Sequence, residues 1–177
     1  MQRLLGFCLV MFFVFVSISG AYAQSTEELA RIAEKKAKQS SDADLTWNDV
    51  YDKLDQACEM LENRGLEEGL VRMQGDSPYV FKGTYVWVHG LDFIMLMHPI
   101  KPELNGKNIK NNRDSKGKLL FQEMNERVLV SPGNVTFVDY HWPKPGVDNK
   151  NFPKRSVVQM CEVNGKKIVV GCGKYLK

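Results

Sequence analysis

Positively and negatively charged residues are nearly balanced in this sequence, so the excess of either sign is small. Its 177 residues contain 24 Lys and Arg against 21 Asp and Glu, which gives a formal net charge of only +3. The lysines are scattered and form no basic run, so we expect no nucleic-acid partner. Apolar residues make up 44% of the chain and charged residues 25%, as in ordinary globular proteins. This length and composition favour one globular domain after an N-terminal leader.

Motifs for catalysis and for metal binding are also missing. The chain has no serine-centred elbow, no glycine-rich phosphate loop and no His/Glu metal spacing. Nothing in the spacing of His89, His98 and His141 requires a metal. We therefore expect a protein that is not an enzyme and carries no cofactor. A partner-binding or structural exported domain, and a haem or metal protein, stay open as alternatives to a ligand-binding module.

A long hydrophobic run occurs at the N-terminus and nowhere downstream. The uncharged run Leu4–Ile18 follows Arg3 and leads to Ala21-Tyr22-Ala23, an A-x-A cleavage pattern. The run is shorter than the ~20 residues that cross a bilayer comfortably. We predict a signal peptide over residues 1–23, with Gln24 as the first mature residue and a periplasmic or secreted product. An uncleaved anchor is the alternative.

Cysteine is scarce, with four in the chain and one of these, Cys8, inside the apolar run. Three cysteines then remain in the mature protein, Cys58, Cys161 and Cys172. An odd count in an oxidising compartment means one disulfide plus a spare thiol, or no disulfide.

The turn Asn164-Gly165 tests one pairing of these cysteines. A two-residue hairpin at this turn places Cys172 opposite Val157, on the same face as Cys161. The two cysteines are then about 13 Å apart along the strands, too far for a direct bond. We predict that Cys161 and Cys172 are not bonded to each other. Two alternatives stay open: a disulfide between Cys58 and one of these two cysteines, or buried free thiols.

Two runs rich in aromatic and branched residues, Tyr85–His89 and Phe93–His98, flank Gly90-Leu91-Asp92. This pattern predicts two antiparallel strands joined by a tight turn. Tyr85 and Trp87 then point to one face, and the valines between them to the other. Because both faces are apolar, we expect both to be covered. The second run ends in His98 beside a polar loop, and this arrangement suits a small-molecule pocket.

Helical periodicity and strand-like runs fill the remaining chain. The predicted helices are Thr26–Gln39, Trp47–Gly65, Leu66–Met73 and Leu119–Val130, and the further strands are Val135–Trp142, Arg155–Val163 and Lys166–Tyr175. We divide the mature chain into a helical segment at 24–45 and one domain at 46–177. The order predicts an α+β domain on an antiparallel sheet.

Six segments in this order resemble the single Cache domains, which are PAS-like extracytoplasmic sensor modules. The segments are YVWV, HPIKPELNGKNI, DSKGKLLFQEM, FVDYHWPKPG, PKRS and VVGCGKY, and the match runs from about Trp47 to Tyr175. The resemblance implies a long N-terminal helix packed on a five- or six-stranded antiparallel sheet. It also implies a pocket on the opposite face, roofed by a loop and a short helix, for a small carboxylate or amino-acid-like ligand.

Three departures from the family pattern shape our expectations. Phe93 stands where the turn commonly has glycine, and Val157 stands where an aromatic residue often follows serine, which we expect to remove a pocket hydroxyl. The sequence ends at Lys177, soon after the last strand. We therefore expect a solitary exported member that signals through a membrane receptor or kinase partner. A homodimer through the N-terminal helix is a further expectation.

The candidate ligand-binding residues combine aromatic walls with one cation. They are Tyr85, Trp87, His98, Tyr140 and Trp142, with Lys144 or Lys154 as the partner of a carboxylate and Arg155 as a third cation of the same kind. A buried anion without a partner is costly, so one of these cations should reach inward. Core packing of the rings and solvent-facing lysines are the alternative interpretations.

Overall fold

The computed structural model describes residues 25–147 and 150–176, so the predicted signal peptide lies outside the described part. The helices are α1 at residues 25–39, α2 at Trp47–Arg64, α3 at Leu66–Arg72 and α4 at Leu120–Val130. The strands are β1 Val80–Phe81, β2 Thr84–Gly90, β3 Met95–Met97, β4 Val135–Pro143, β5 Asn151–Val163 and β6 Lys166–Tyr175. Within the described ranges, no helix is both long and apolar enough to span a membrane.

The strands form one six-stranded antiparallel sheet in the order β1-β2-β6-β5-β4, with β3 also paired to β2. This confirms the predicted α+β class and sheet. Strand β3 is shorter than the predicted Phe93–His98. Phe93 has a left-handed φ of 65°, and the β2–β3 register shifts between Val88 and His89. Strand β1 was missed because two residues carry no readable alternation.

The hairpin of β5 and β6 has the predicted register. The Asn164-Gly165 turn has positive φ at both residues, 53° and 77°, as such turns require. Cys172 accordingly lies opposite Val157 and is a buried free thiol. Cys161 bonds instead to Cys58 on α2, with their Cα atoms 5.7 Å apart. The prediction that Cys161 and Cys172 are not bonded is confirmed.

Helix α2 covers one face of the sheet. It begins at a capping box, in which the Asp49 backbone N–H donates to the Thr46 hydroxyl over 3.1 Å and the Thr46 N–H donates to the Asp49 carboxylate over 2.8 Å. Its apolar stripe, which includes Leu54 and Leu61, packs against Val86 and Val88 of β2. These residues form the first core.

The opposite face of the sheet carries a second core under a different cover. The residues that pack there come from α1, from the long loop between β3 and α4, and from α4. They are Ala33, Ala37, Ile109, Phe121 and Met124. Helices α1 and α2 therefore lie on opposite faces, separated by the break at residues 40–46. Strand β2 is buried along its whole length, as predicted. The candidate site lies between the sheet and this second cover.

Candidate functional site

The floor of the site is the second face of the sheet, to which β6 contributes Gly171 and Gly173. A Cβ atom at Gly171 would overlap the ring of Trp87, and one at Gly173 would overlap the hydroxyl of Ser156. The two glycines therefore leave the space that the Trp87 indole and the Ser156 hydroxyl occupy.

The predicted rings meet around a small inner cavity of about 10 Å³. Its lining is Tyr85, Trp87, His98, Leu120, Phe121, Tyr140 and Trp142. The ring centroids of Tyr85 and His98 are 5.0 Å apart, and those of His98 and Trp142 are 6.0 Å apart. A cavity of this size holds about one water molecule. The rings therefore form a nearly closed cage.

Lys154 is the buried cation of this cage. Its side chain is 0% exposed, and its Nζ is the buried polar atom without a hydrogen-bond partner among the described side chains. Nζ lies 4.2 Å from the ring centroid of Tyr85, 4.9 Å from that of Tyr175 and 5.6 Å from that of Trp87. Burial lowers the pKa of the Lys154 ammonium to about 7, because the charged form loses its hydration.

The other two candidate cations lie outside the cage and have anionic partners. The Lys144 Nζ is 2.7 Å from a carboxylate oxygen of Asp42, which belongs to the segment between α1 and α2. Arg155 donates two hydrogen bonds, of 2.6 and 2.7 Å, to the carboxylate of Asp139. The structure thus places Lys154 against the rings of Tyr85 and Trp87, opposite Tyr140 and within electrostatic reach of His98. It does not bring Lys144 or Arg155 there.

His98 offers the cage a neutral donor. Its Nδ1 accepts hydrogen bonds from the backbone N–H groups of Ile100, over 3.3 Å, and Lys101, over 3.0 Å. A nitrogen that accepts carries no proton, so the ring proton lies on Nε2. Burial, together with the charges of Lys154 and Lys101, holds the pKa of His98 well below its usual value. The ring therefore stays uncharged at neutral pH.

Three hydroxyl groups complete the polar part of the cage. The Tyr140 and Ser156 hydroxyls are 2.9 Å apart, and the Tyr175 hydroxyl donates to the Pro143 carbonyl over 2.6 Å. Burial raises the pKa of Tyr140 well above its usual value, so its hydroxyl keeps its proton.

Sequence reasoning missed Ser156 and Tyr175, although two signals point to them. The predicted β5–β6 register places Tyr175 opposite Lys154, as observed. Strand alternation from Lys154 places Ser156 on the same face. Val157, by contrast, packs with the α2 side of the sheet. Its identity therefore removes no pocket hydroxyl, and that expectation was wrong.

An outer cleft of about 390 Å³ lies next to the cage. It shares Tyr85 and Trp142 with the inner cavity, and its charged lining residues are Glu34, Lys101, Glu103, Lys144 and Lys150. Tyr85 is buried, whereas Trp142 is partly exposed. Trp142 is therefore the ring that separates the cage from solvent.

The three histidines have separate surroundings. His89 Nε2 is 3.0 Å from the Asn125 side-chain oxygen, and His141 Nδ1 is 3.7 Å from the Asp114 carboxylate. The described residues include no cluster of three or more His, Cys, Asp or Glu that could hold a metal ion. The structure offers no residue set to which a metal role can be assigned.

Comparisons with known proteins agree with this architecture. A family model described as "Cache domain" matches residues 18–177. The methyl-accepting chemotaxis protein McpP of Pseudomonas putida is 33% identical over 92 residues, which are 52% of this chain and 16% of that protein. The chain thus spans 16% of the length of this curated relative.

Two solved structures are similar over most of their length. One, described as the structural basis for carboxylic acid recognition by a Cache chemosensory domain, is 25% identical with a TM-score of 0.55, over 91% of this chain and 97% of that one. The other, a periplasmic sensor domain of a chemotaxis protein, is 29% identical with a TM-score of 0.48, over 94% and 99%. With the family model matching nearly all of the sequence, the chain belongs to the Cache domain family.

Proposed function

We propose that this Cache domain binds a short monocarboxylate in the ring cage, with the carboxylate on Lys154. The observation that carries the proposal is the buried Nζ of Lys154 without a hydrogen-bond partner. A buried ammonium normally has an anionic or polar acceptor, because its desolvation is otherwise uncompensated. A bound carboxylate supplies that acceptor.

The other polar groups of the cage suit the same ligand. The Nε2–H of His98 is a neutral donor beside the Lys154 cation, so a carboxylate can accept from both. The hydroxyl pair of Tyr140 and Ser156 lies on the same face of the sheet. The similar chemosensory domain that is described for carboxylic acid recognition supports this class of ligand.

The lining favours a short monocarboxylate over an amino acid or a dicarboxylate. No Asp or Glu lies among the described residues that line the inner cavity, so an α-ammonium group would have no anionic partner. His98 is neutral, and a second carboxylate would therefore find no cation among the described residues that line the inner cavity. Leu120 and Phe121 offer apolar contacts for a short tail.

Ligand entry requires a ring to move, because a cavity of about 10 Å³ is smaller than any carboxylate. Trp142 lies between the cage and the outer cleft and is partly exposed. We propose that displacement of Trp142 admits the ligand and enlarges the cage. Rearrangement of side chains on binding is common.

We further propose an extracytoplasmic location and a signalling partner. The Cys58–Cys161 disulfide supports an oxidising compartment. The chemotaxis protein among the relatives supports a membrane receptor or kinase as the partner. A homodimer through the N-terminal helix remains part of this proposal, and sedimentation with and without ligand tests it.

Thermal-shift screening followed by calorimetry tests the ligand. At pH 6, acetate and propionate should raise the melting temperature, while glycine and succinate should not. Lys154→Met should weaken binding by about one to two decades, the equivalent of a charge-assisted hydrogen bond of roughly 1.5–3 kcal/mol. Lys144→Met is the matched control and should bind normally. If no anion shifts the melting temperature, or if Lys154→Met binds like wild type, the carboxylate proposal fails and the partner-binding alternative leads.

A further inference from the structure

The groups that face Lys154 come from every element packed around it. They are Tyr85, Trp87, Tyr140, Tyr175 and His98, while the Cys172 thiol acts on Lys154 from the α2 side of the sheet. None of these residues is acidic. Asp114 and Asp139 line an outer pocket together with Lys154, but the Asp114 carboxylate accepts from backbone N–H groups and that of Asp139 from Arg155. Outside the rings, Lys101 Nζ lies 3.7 Å from the Glu103 carboxylate and Lys144 Nζ lies 2.7 Å from that of Asp42. Each of these outer cations therefore has its own anion.

The neighbours of Lys154 stay uncharged around neutral pH. Burial raises the pKa values of Tyr85, Tyr140 and Tyr175 above their usual range and that of the Cys172 thiol to about 11. Burial, with Lys154 and Lys101, lowers the pKa of His98. Between pH 6 and pH 9, Lys154 is thus the one group of the cage that changes charge.

We propose that the pocket takes up its anion together with one proton, so that the domain responds to carboxylate concentration and to pH at once. This inference rests on the proposed function. Above neutral pH the empty cage holds the amine of Lys154 uncharged, because the described side chains around it offer no acceptor. On binding, a proton from solvent adds to the Nζ lone pair and forms a third N–H bond. The ammonium and the carboxylate then enter the closed cage as a neutral pair.

Two opposing effects bring the pKa of Lys154 close to physiological pH. Loss of hydration disfavours the ammonium, whereas the ring faces of Tyr85 and Tyr175, at 4.2 and 4.9 Å, favour it. The resulting pKa of about 7 rises again when an anion binds beside the amine. Protonation and anion binding therefore strengthen each other.

The direction of the pH effect follows from this coupling. Short carboxylates are fully ionised between pH 6 and pH 9, so the ligand does not titrate there. Below the pKa of Lys154, about 7, the ammonium is already present and affinity should not depend on pH. Above it, affinity should fall about tenfold for each pH unit, since the protonated fraction falls by that factor.

Calorimetry with propionate on the full exported chain tests the inference. Titrations at pH 6, 7, 8 and 9 should show Kd constant at the acid end and rising by about tenfold for each unit above pH 7. At pH 8, two buffers with different ionisation enthalpies should report uptake of close to one proton per bound propionate. Lys144→Met should show the same proton uptake, because its site lies outside the cage.

The outcomes separate this inference from the proposed function. Propionate binding with a constant Kd from pH 6 to pH 9 and no proton uptake overturns the inference and leaves the binding proposal standing. Absence of binding at pH 6 overturns both. Lys154→Arg keeps a permanent cation, so proton uptake that persists in this variant would assign the proton to another group and also overturn the inference. The wild-type proton count is decisive even if the arginine variant does not fold.

Discussion

Lys154, the proposed carboxylate-binding residue, lowers the stability of the folded protein when it is charged. Its pKa is about 7 in the folded protein against an ordinary value of 10.5. Between these two values the unfolded chain binds the proton and the folded chain does not. The contribution of this group to the free energy of unfolding therefore rises with pH across that window. Below pH 7 the folded protein holds an ammonium without an acceptor.

We therefore predict that Lys154→Met makes the ligand-free protein more stable while weakening ligand binding. Methionine fills a similar volume and has no charge to bury. The gain should be roughly 1–3 kcal/mol at pH 6, and smaller at pH 9, where wild-type Lys154 is neutral. Urea denaturation at both pH values measures the difference. A methionine variant less stable than wild type at pH 6 would show that the ammonium has a stabilising partner.

The aromatic residues of the cage were predictable from sequence, but the choice of lysine was not. Alternation along β2 and β4 determines which rings share a face, and a single strand suffices to read it. Lys154 depends on where β5 begins. The prediction started this strand at Arg155, one residue after Lys154. In the structure the strand begins at Asn151 and pairs Pro153 with His141, which brings Lys154 opposite Tyr140.

At the scale of the elements, the sequence predicted where turns and helix caps form. It did not predict which face of the sheet each helix covers. The Asn164-Gly165 turn and the capping box at Thr46 determined the ends of β5, β6 and α2. The side of the sheet that α1 covers depends on Ala33 and Ala37, whose small side chains allow close packing on the second core. So narrow an apolar stripe on α1 does not indicate against which face of the sheet the helix packs.

The glycines of β6 give a prediction at this scale. Gly171→Ala should displace the Trp87 ring, because the added Cβ would overlap it. We expect a loss of roughly 1–3 kcal/mol in stability from overpacking, together with weaker propionate binding. Chemical denaturation and calorimetry measure the two effects.

Gly165→Ala is the matched control for this substitution. It should also lower stability, because Gly165 has a φ of +77° in the β5–β6 turn, but its added Cβ meets no atom within 4 Å. Propionate binding should therefore be unchanged in this variant. Equal affinities for the two alanine variants would mean that the position of Trp87 does not matter to the site.

At the scale of the whole molecule, the elements that cover the two faces of the sheet are held to it by different kinds of bond. Helix α2 is bonded covalently to β5 through Cys58 and Cys161. On the pocket side, α1, the long loop and α4 are held by apolar packing and by hydrogen bonds such as the 3.0 Å contact between His89 and Asn125. This arrangement fixes the α2 side, and among the described residues no disulfide restrains the cover of the cage, which is consistent with the proposed ligand entry past Trp142.

Removal of the disulfide should therefore lower stability without changing the pocket. The bond closes a loop with a sequence separation of 103, and loss of such a bond typically costs about 2–5 kcal/mol. For a domain of this size, the melting temperature should fall by roughly 5–15 °C in the presence of a reductant. Propionate affinity, measured well below the melting temperature, should remain within about twofold of the oxidised protein.

Two variants make this last prediction decisive. The double variant Cys58→Ala/Cys161→Ala should melt at a lower temperature than wild type and should no longer respond to reductant. Cys172→Ala should keep the full response, because the Cys172 thiol takes no part in the bond. A melting temperature that reductant leaves unchanged in wild type would mean that the bond does not form in the exported protein. A large loss of affinity on reduction would mean that the α2 side of the sheet shapes the cage, against the division of roles that the two cores indicate.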